Sequence, residues 1–279
     1  MKWKWLYSSL LLLALLPVTL MAQQPDPVAD ALAGQLADPI VSNQQPCQNV
    51  QMLAVGSVNL LDTYLSQEKY SGTEVRYISQ RLRRWHKHPS WRTALTSTGS
   101  FQYASPRADN SNYMGALYTC AFAMRHEWTF GERWSAEAGA QAEVAGGFLY
   151  STRNSNNPAQ ARLYLNRGPT AAVTGAFRLL RRTLQIRYEA YAPLVGLLFS
   201  PNYGQSYYEI FTRGNYDHNV AAASVFSAPT LRHQLTIDYP LRRFSIRVGY
   251  QGDFEQAEVN NLKYHTYSHL LLMGIVKQL

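Results

Sequence analysis

The run His265-Thr266-Tyr267-Ser268-His269 carries a hydroxyl and two imidazoles, the groups of a nucleophile and its base. A base must lie within about 2.6–3.2 Å of the nucleophile it activates. On a strand, residues one or three apart point to opposite faces, so neither histidine reaches Ser268. The run reads instead as rings at a membrane boundary. His88-Pro89-Ser90 has the two-apart spacing a strand would need, but the intervening proline places it in a turn. Asp217-His218 and His126-Glu127 are neighbours, and no Asp-x-His occurs. No catalytic residue, metal ligand or cofactor is expected from these patterns.

The second group of chemically capable residues is charged and lies on polar strand faces. It comprises Arg125, Glu127, Glu137, Glu143, Arg187 and Glu189 in the first half, and Arg232, Asp238, Arg247, Asp253 and Glu255 in the second. Pointing into an enclosed lumen, such residues either line a polar path that selects ions or neutralise one another as a salt-bridged plug. A narrow lumen holding both signs favours the plug.

What must position them is a long run of strands. From Tyr118 one face reads Tyr118, Cys120, Phe122, Met124, Trp128, Phe130, and the other Thr119, Ala121, Ala123, Arg125, Glu127, Thr129. From Trp134 the apolar set Ala136 to Val144 alternates with Ser135, Glu137, Gly139, Gln141 and Glu143. The stretches 184–189, 231–239 and 244–251 repeat the pattern. A period of two means strands with one apolar and one polar face. Several runs exceed ordinary strand length and reach the 9–11 residues a tilted strand needs to cross a bilayer. Aromatics gather near their ends, as in the girdles of membrane barrels.

Short turns at 88–89, 131–133, 181–182, 214–215 and 242–243 alternate with longer connections at 61–72, 105–112, 151–160, 201–205, 227–229 and 257–263. The segments between them predict an all-β, transmembrane antiparallel up-and-down β-barrel of about 12 strands, with 10 as the alternative. Segments 206–213 and 219–226 and the tight link 227–229 are the reason for the alternative.

Ahead of the barrel, Lys2, Lys4 and the apolar stretch Leu10 to Leu20 form a signal-peptide pattern ending at Ala22. Residues 23–49, rich in Pro, Gln, Ala and Asp, read as a periplasmic tail, and 50–279 as the barrel. Charged residues make up 16% of the chain and aromatics 13%, which excludes a disordered protein. The net charge of +8 is scattered, so the expected partner is outer-membrane lipid and not nucleic acid; any periplasmic or outer-membrane protein partner is unspecified. Two cysteines, Cys47 and Cys120, permit one disulfide in an oxidising compartment, although a buried or lipid-facing free thiol suits Cys120 better.

Several stretches resemble a known family. They are Val55-Gly56-Ser57 through Leu61-Asp62-Thr63-Tyr64-Leu65 to Tyr70-Ser71-Gly72, Asn157-Pro158-Ala159-Gln160-Ala161-Arg162, Pro193-Leu194-Val195-Gly196, Phe199-Ser200-Pro201, Tyr203-Gly204-Gln205-Ser206-Tyr207-Tyr208-Glu209 and Tyr264 to His269. The chain thereby resembles, over about residues 50–279, the Bacteroidota family called domain of unknown function 3316. The resemblance implies an exported barrel without assigned activity and brings no catalytic residues.

The leading expectation is a non-enzymatic outer-membrane barrel, either a narrow pore or a structural or docking element. Two alternatives differ in class: an outer-membrane lipid hydrolase, and a soluble exported β-protein that binds a small apolar ligand.

Overall fold

The computed structural model describes residues 47–153, 157–179 and 182–278. The leader and the tail up to residue 46 lie outside the described residues. The strands are β1 (Cys47–Asp62), β2 (Ser66–Arg84), β3 (Trp91–Pro106), β4 (Tyr113–Phe130), β5 (Trp134–Ser151), β6 (Ala159–Leu179), β7 (Arg182–Tyr191), β8 (Val195–Phe199), β9 (Val220–Ser224), β10 (Thr230–Pro240), β11 (Ser245–Val259) and β12 (Leu262–Gln278). One five-residue helix, α1 (Tyr207–Phe211), sits between β8 and β9. No described helix is long and apolar enough to cross a membrane.

Pairing is antiparallel throughout, and β12 returns to β1 from Gln48↔Gln278 to Asp62↔Tyr264. The closed ring runs β1 to β7, then β10, β11 and β12, ten strands in all. Closure leaves no open edge, which is what a sheet in hydrocarbon requires, since each unsatisfied backbone group there costs several kcal/mol.

The remaining two strands extend the wall at one end. β6 pairs first with β8, as Tyr164↔Leu198, and further along with β7, as Thr170↔Tyr191. Thus β7 and β8 are two stretches of one interrupted wall strand. The break holds Pro193, which has no N–H to donate. β9 and β10 form a second interrupted strand, broken over 225–229. The link 227–229, expected to be an external loop, is therefore a gap within a strand. Segment 206–213, expected to be a strand, is largely α1. There Ser206 accepts from the Glu209 backbone N–H while the Glu209 carboxylate accepts from the Ser206 N–H, a capping box that outweighs the weak alternation. Together these account for a ring of ten with two outer segments.

Two connections expected to be long are tight. β1 and β2 are joined by 63–65. β11 and β12 turn at Asn260 and Asn261, whose φ values of 54° and 59° suit the hairpin turn that asparagine tolerates. The long connection is 200–219, at the end of the barrel opposite both described chain ends.

The outward faces are apolar. Leu53, Phe122, Val144, Leu165, Val248, Leu271 and Met273 are exposed, forming a contiguous belt far larger than a water-soluble monomer carries. Trp91, Trp128 and Trp134 on β3 to β5, with Tyr239 on β10, lie toward the end near the chain termini, and Tyr103, Tyr118 and Tyr150 on β3 to β5 toward the loop end. Cys47 and Cys120 are free thiols.

The inward faces are not uniformly polar. Val50, Met52, Ala54, Ile78, Leu270, Leu272 and Val276 make a buried apolar sector on β1, β2 and β12. These strands carry apolar residues on both faces, so alternation there is weak. Inward glycines let the narrow wall curve: at Gly139 a Cβ would run into the Met124 carbonyl oxygen of β4.

Candidate functional site: the charged lumen

All eleven charged residues singled out in the sequence sit on inward faces. Near the termini end, Glu137 on β5 meets three guanidiniums. Arg187 on β7 donates to both its oxygens at 2.8 Å, Arg92 on β3 reaches it at 3.0 Å, and Arg125 on β4 lies 3.6 Å away. Arg125 also pairs with Glu189 at 2.5 Å, and Glu189 with Arg187 at 3.3 Å. Glu127 is held by Arg84 and, at 2.9 Å, by Arg92. Four guanidiniums and three carboxylates thus form one continuous cluster. At the same end, Arg247 donates through Nε and Nη2 to both Asp238 oxygens, at 2.6 and 2.7 Å, the fork geometry that makes such pairs strong.

A second cluster fills the loop half. Asp253 on β11 accepts from Arg76 at 2.7 Å and from Arg232 at 2.9 Å. Arg232 on β10 crosses the lumen to Glu143 on β5 at 2.8 Å and also reaches Glu255 at 3.2 Å. Arg76 pairs with Glu74, which also accepts from Gln102 and Ser268. Tyr164 donates to Glu255 at 3.1 Å. These contacts join strands that are not neighbours in the wall, so they brace the ring across its diameter.

Above this cluster the mouth is covered. Arg162 pairs with Asp62 across the opening at 3.1 Å, and its guanidinium lies 3.9 Å from the centre of the Tyr264 ring. Over that, 200–219 forms a lid fixed to three other hairpins. Tyr64 donates to the Gln205 carbonyl at 3.0 Å, Tyr207 to Gln160 at 2.9 Å, and Asn260 to the Ser200 carbonyl at 3.0 Å. Burial pushes the Tyr207 hydroxyl up to about 12, so it remains a donor at any physiological pH. Bonds from the Ser206 backbone and side chain hold Glu209 below the usual carboxylate range, which keeps the helix cap charged.

The space left inside is small. Two chambers of about 60 Å³ each flank Arg232, and one of about 30 Å³ lies beside Arg187 and Arg247. At roughly 10–15 Å³ per water, the larger ones have room for a few waters each.

Asp62, Glu74, Arg76, Arg84, Arg92 and Arg162 belong to these clusters but were not singled out from the sequence. On β2 the signal is masked because Ile78 and Leu82 share the inward face with Glu74 and Arg76, while Arg81 and Arg83 lie on the other. Ser268 is fully buried and bonded to Glu74. His265 and His269 face outward, where His269 bonds Tyr250 at 2.6 Å and His265 stacks on Tyr267 with ring centres 4.5 Å apart. Among the described residues, no group of three or more His, Cys, Asp or Glu has a geometry that would hold a metal ion.

The lid gives a direct prediction. Ser206→Ala removes the side-chain half of the capping box and leaves the backbone bond to Glu209; a cap of this kind is worth about 1 kcal/mol. Proteinase K should then cut 200–219 several-fold faster in the folded, detergent-solubilised barrel. An unchanged rate would show that the cap does not hold the lid.

The transport unit of the autotransporter AIDA-I from Escherichia coli is similar over 92% of this chain and 100% of that one, with 11% identity and a TM-score of 0.46. The outer membrane protease OmpT from Escherichia coli is similar over 85% and 98%, with 8% identity and a TM-score of 0.41. The translocator domain of NalP from Neisseria meningitidis is similar over 90% and 95%, with 9% identity and a TM-score of 0.39. Comparison with curated proteins gives no match. The family model described as "Protein of unknown function (DUF3316)" matches residues 8–279, and on that match the chain belongs to this family.

Proposed function

We propose that this chain is an outer-membrane barrel of a Gram-negative bacterium of the Bacteroidota, exported by a cleaved signal peptide, whose lumen is sealed and which acts as a structural or docking element, not as an open pore or an enzyme. The observation that carries the reading is the lumen: ion pairs cross it at two levels, and a lid covers its loop end. Opposite charges satisfied within a closed ring make a rigid peg. The exposed apolar outer faces, with aromatics toward both ends of β3 to β5, support the membrane assignment. The separation of Ser268, inside, from His265 and His269, outside, speaks against a nucleophile–base pair on β12, because the wall stands between them.

Liposome swelling tests the reading. Proteoliposomes carrying the refolded barrel should swell in isotonic small sugars or amino acids no faster than empty liposomes. Swelling at a rate set by solute size would replace the peg with a pore.

A further inference from the structure

The outer wall of β1 to β5 carries a shallow recess, open over most of its extent. Its floor is Gly99, Ala116 and Gly146, and its walls include Tyr77, Phe101, Tyr118 and Phe148. In the pairing register these residues form two adjacent rows, Tyr77–Gly99–Tyr118–Gly146 and Phe101–Ala116–Phe148. The rings do not cover the glycines. A Cβ on Gly99 would meet nothing within 4 Å, and one on Gly146 only the end of Leu163, at 3.5 Å.

Its height on the barrel is set by counting. Gly99 lies eight residues along β3 from Trp91, Tyr118 ten along β4 from Trp128, and Gly146 twelve along β5 from Trp134. At roughly 2.5 Å of height per residue for a strand tilted about 40°, the floor stands about 20–30 Å above these tryptophans. The apolar band of such a barrel is about 25 Å tall. The recess is therefore in the loop-side half of the wall, with Arg107 eight residues further along from Gly99 and Arg153 seven further along from Gly146. Above it, Arg107 and Arg153 are exposed on the β3–β4 and β5–β6 connections. Those connections are tied together by Asn112 N–H to Thr152 Oγ1 at 2.8 Å and Thr152 N–H to the Asn112 carbonyl at 3.0 Å. Asp109, the nearby acid, shares the turn with Arg107.

We propose that this recess binds one lipid of the loop-side leaflet, an acyl chain lying over Gly99, Ala116 and Gly146 and a headgroup phosphate meeting Arg107 and Arg153. The inference rests on the membrane reading above. An acyl chain suits the site because the walls offer rings and aliphatic carbon, and a phosphate suits guanidiniums as a paired acceptor. Of the spaces in this barrel, the chambers inside have room for only a few waters, whereas this one lies on the outward apolar wall.

The test uses the full barrel in detergent with bisphosphorylated lipid A as probe, read by native mass spectrometry, with dephosphorylated lipid A in a second arm. The wild type should hold a single lipid A. Gly99→Leu with Gly146→Leu, which fills the floor where a side chain meets almost nothing, should weaken that adduct by about tenfold in both arms. Arg107→Ala with Arg153→Ala should weaken only the phosphorylated arm. Heat-modifiable migration on gels reports that each variant is folded. Equal lipid retention by the filled variant overturns the proposal. A barrel that is monodisperse in buffer without detergent overturns the membrane reading beneath it, a separate outcome.

Discussion

Glu137→Ala is expected to destabilise the barrel by about 3–5 kcal/mol, because it leaves four guanidiniums, Arg84, Arg92, Arg125 and Arg187, sharing only Glu127 and Glu189 in a buried site. Glu137 is 3% exposed, so water cannot take over its role. The measurement is urea unfolding in detergent micelles followed by tryptophan fluorescence. Glu137→Gln keeps the shape but loses the charge and should fall between the two. Adding Arg187→Met to Glu137→Ala should recover part of the loss, since it removes one of the stranded cations. This non-additivity is the signature of a shared network. If Glu137→Ala unfolds at the wild-type urea concentration, the guanidiniums around it are solvated and the plug is not a plug.

Gly139→Val should have an effect at least as large, by a different route. Gly139 pairs with Arg125 across β4 and β5, and its missing Cβ is where the β4 backbone passes. The obstruction is a main-chain carbonyl, which no rotamer change moves, so the strands must separate. We expect little or no heat-modifiable folded species on refolding. Gly99→Ala on the outer wall, where the added methyl meets nothing, is the matched control and should refold within about 0.5 kcal/mol of the wild type. Normal refolding of Gly139→Val would mean that the wall is less tightly curved than described.

Alternation made the barrel legible because lipid and lumen impose opposite chemistry on successive residues. It identified the polar face of β4 and β5 residue by residue, from Thr119 to Glu127 and from Ser135 to Glu143. It failed where a strand is apolar on both sides. Val50, Met52 and Leu272 face inward, yet they are the same residue types as Leu53, Val55 and Leu271 facing out, so the β1–β12 seam gave no sign of an apolar interior. It also failed where short-range bonding won: alternation over 206–213 is weaker than the reciprocal bonds of Ser206 and Glu209. Proline marked the broken strands, since Pro193 and Pro229 stand in the two gaps. A gap within a strand and a loop between strands look the same in sequence, which is why ten and twelve were both open. The lumen pairs across non-neighbouring strands, such as Arg232 with Glu143, depend on ring closure and carry no local signal. The outer recess was equally invisible, because glycines at 99 and 146 acquire meaning only when four strands are laid side by side.

The direct measurement of a sealed lumen is electrical. Purified wild-type barrel inserted into planar bilayers should give no stable ohmic steps above the bare-membrane background, at either polarity, and 200–219 cut by protease should not open it, because the ion pairs from Arg76 to Arg187 remain beneath the lid. Steady, salt-dependent conductance from the intact protein would contradict the account, since ions would then be crossing where the guanidiniums and carboxylates are held to meet.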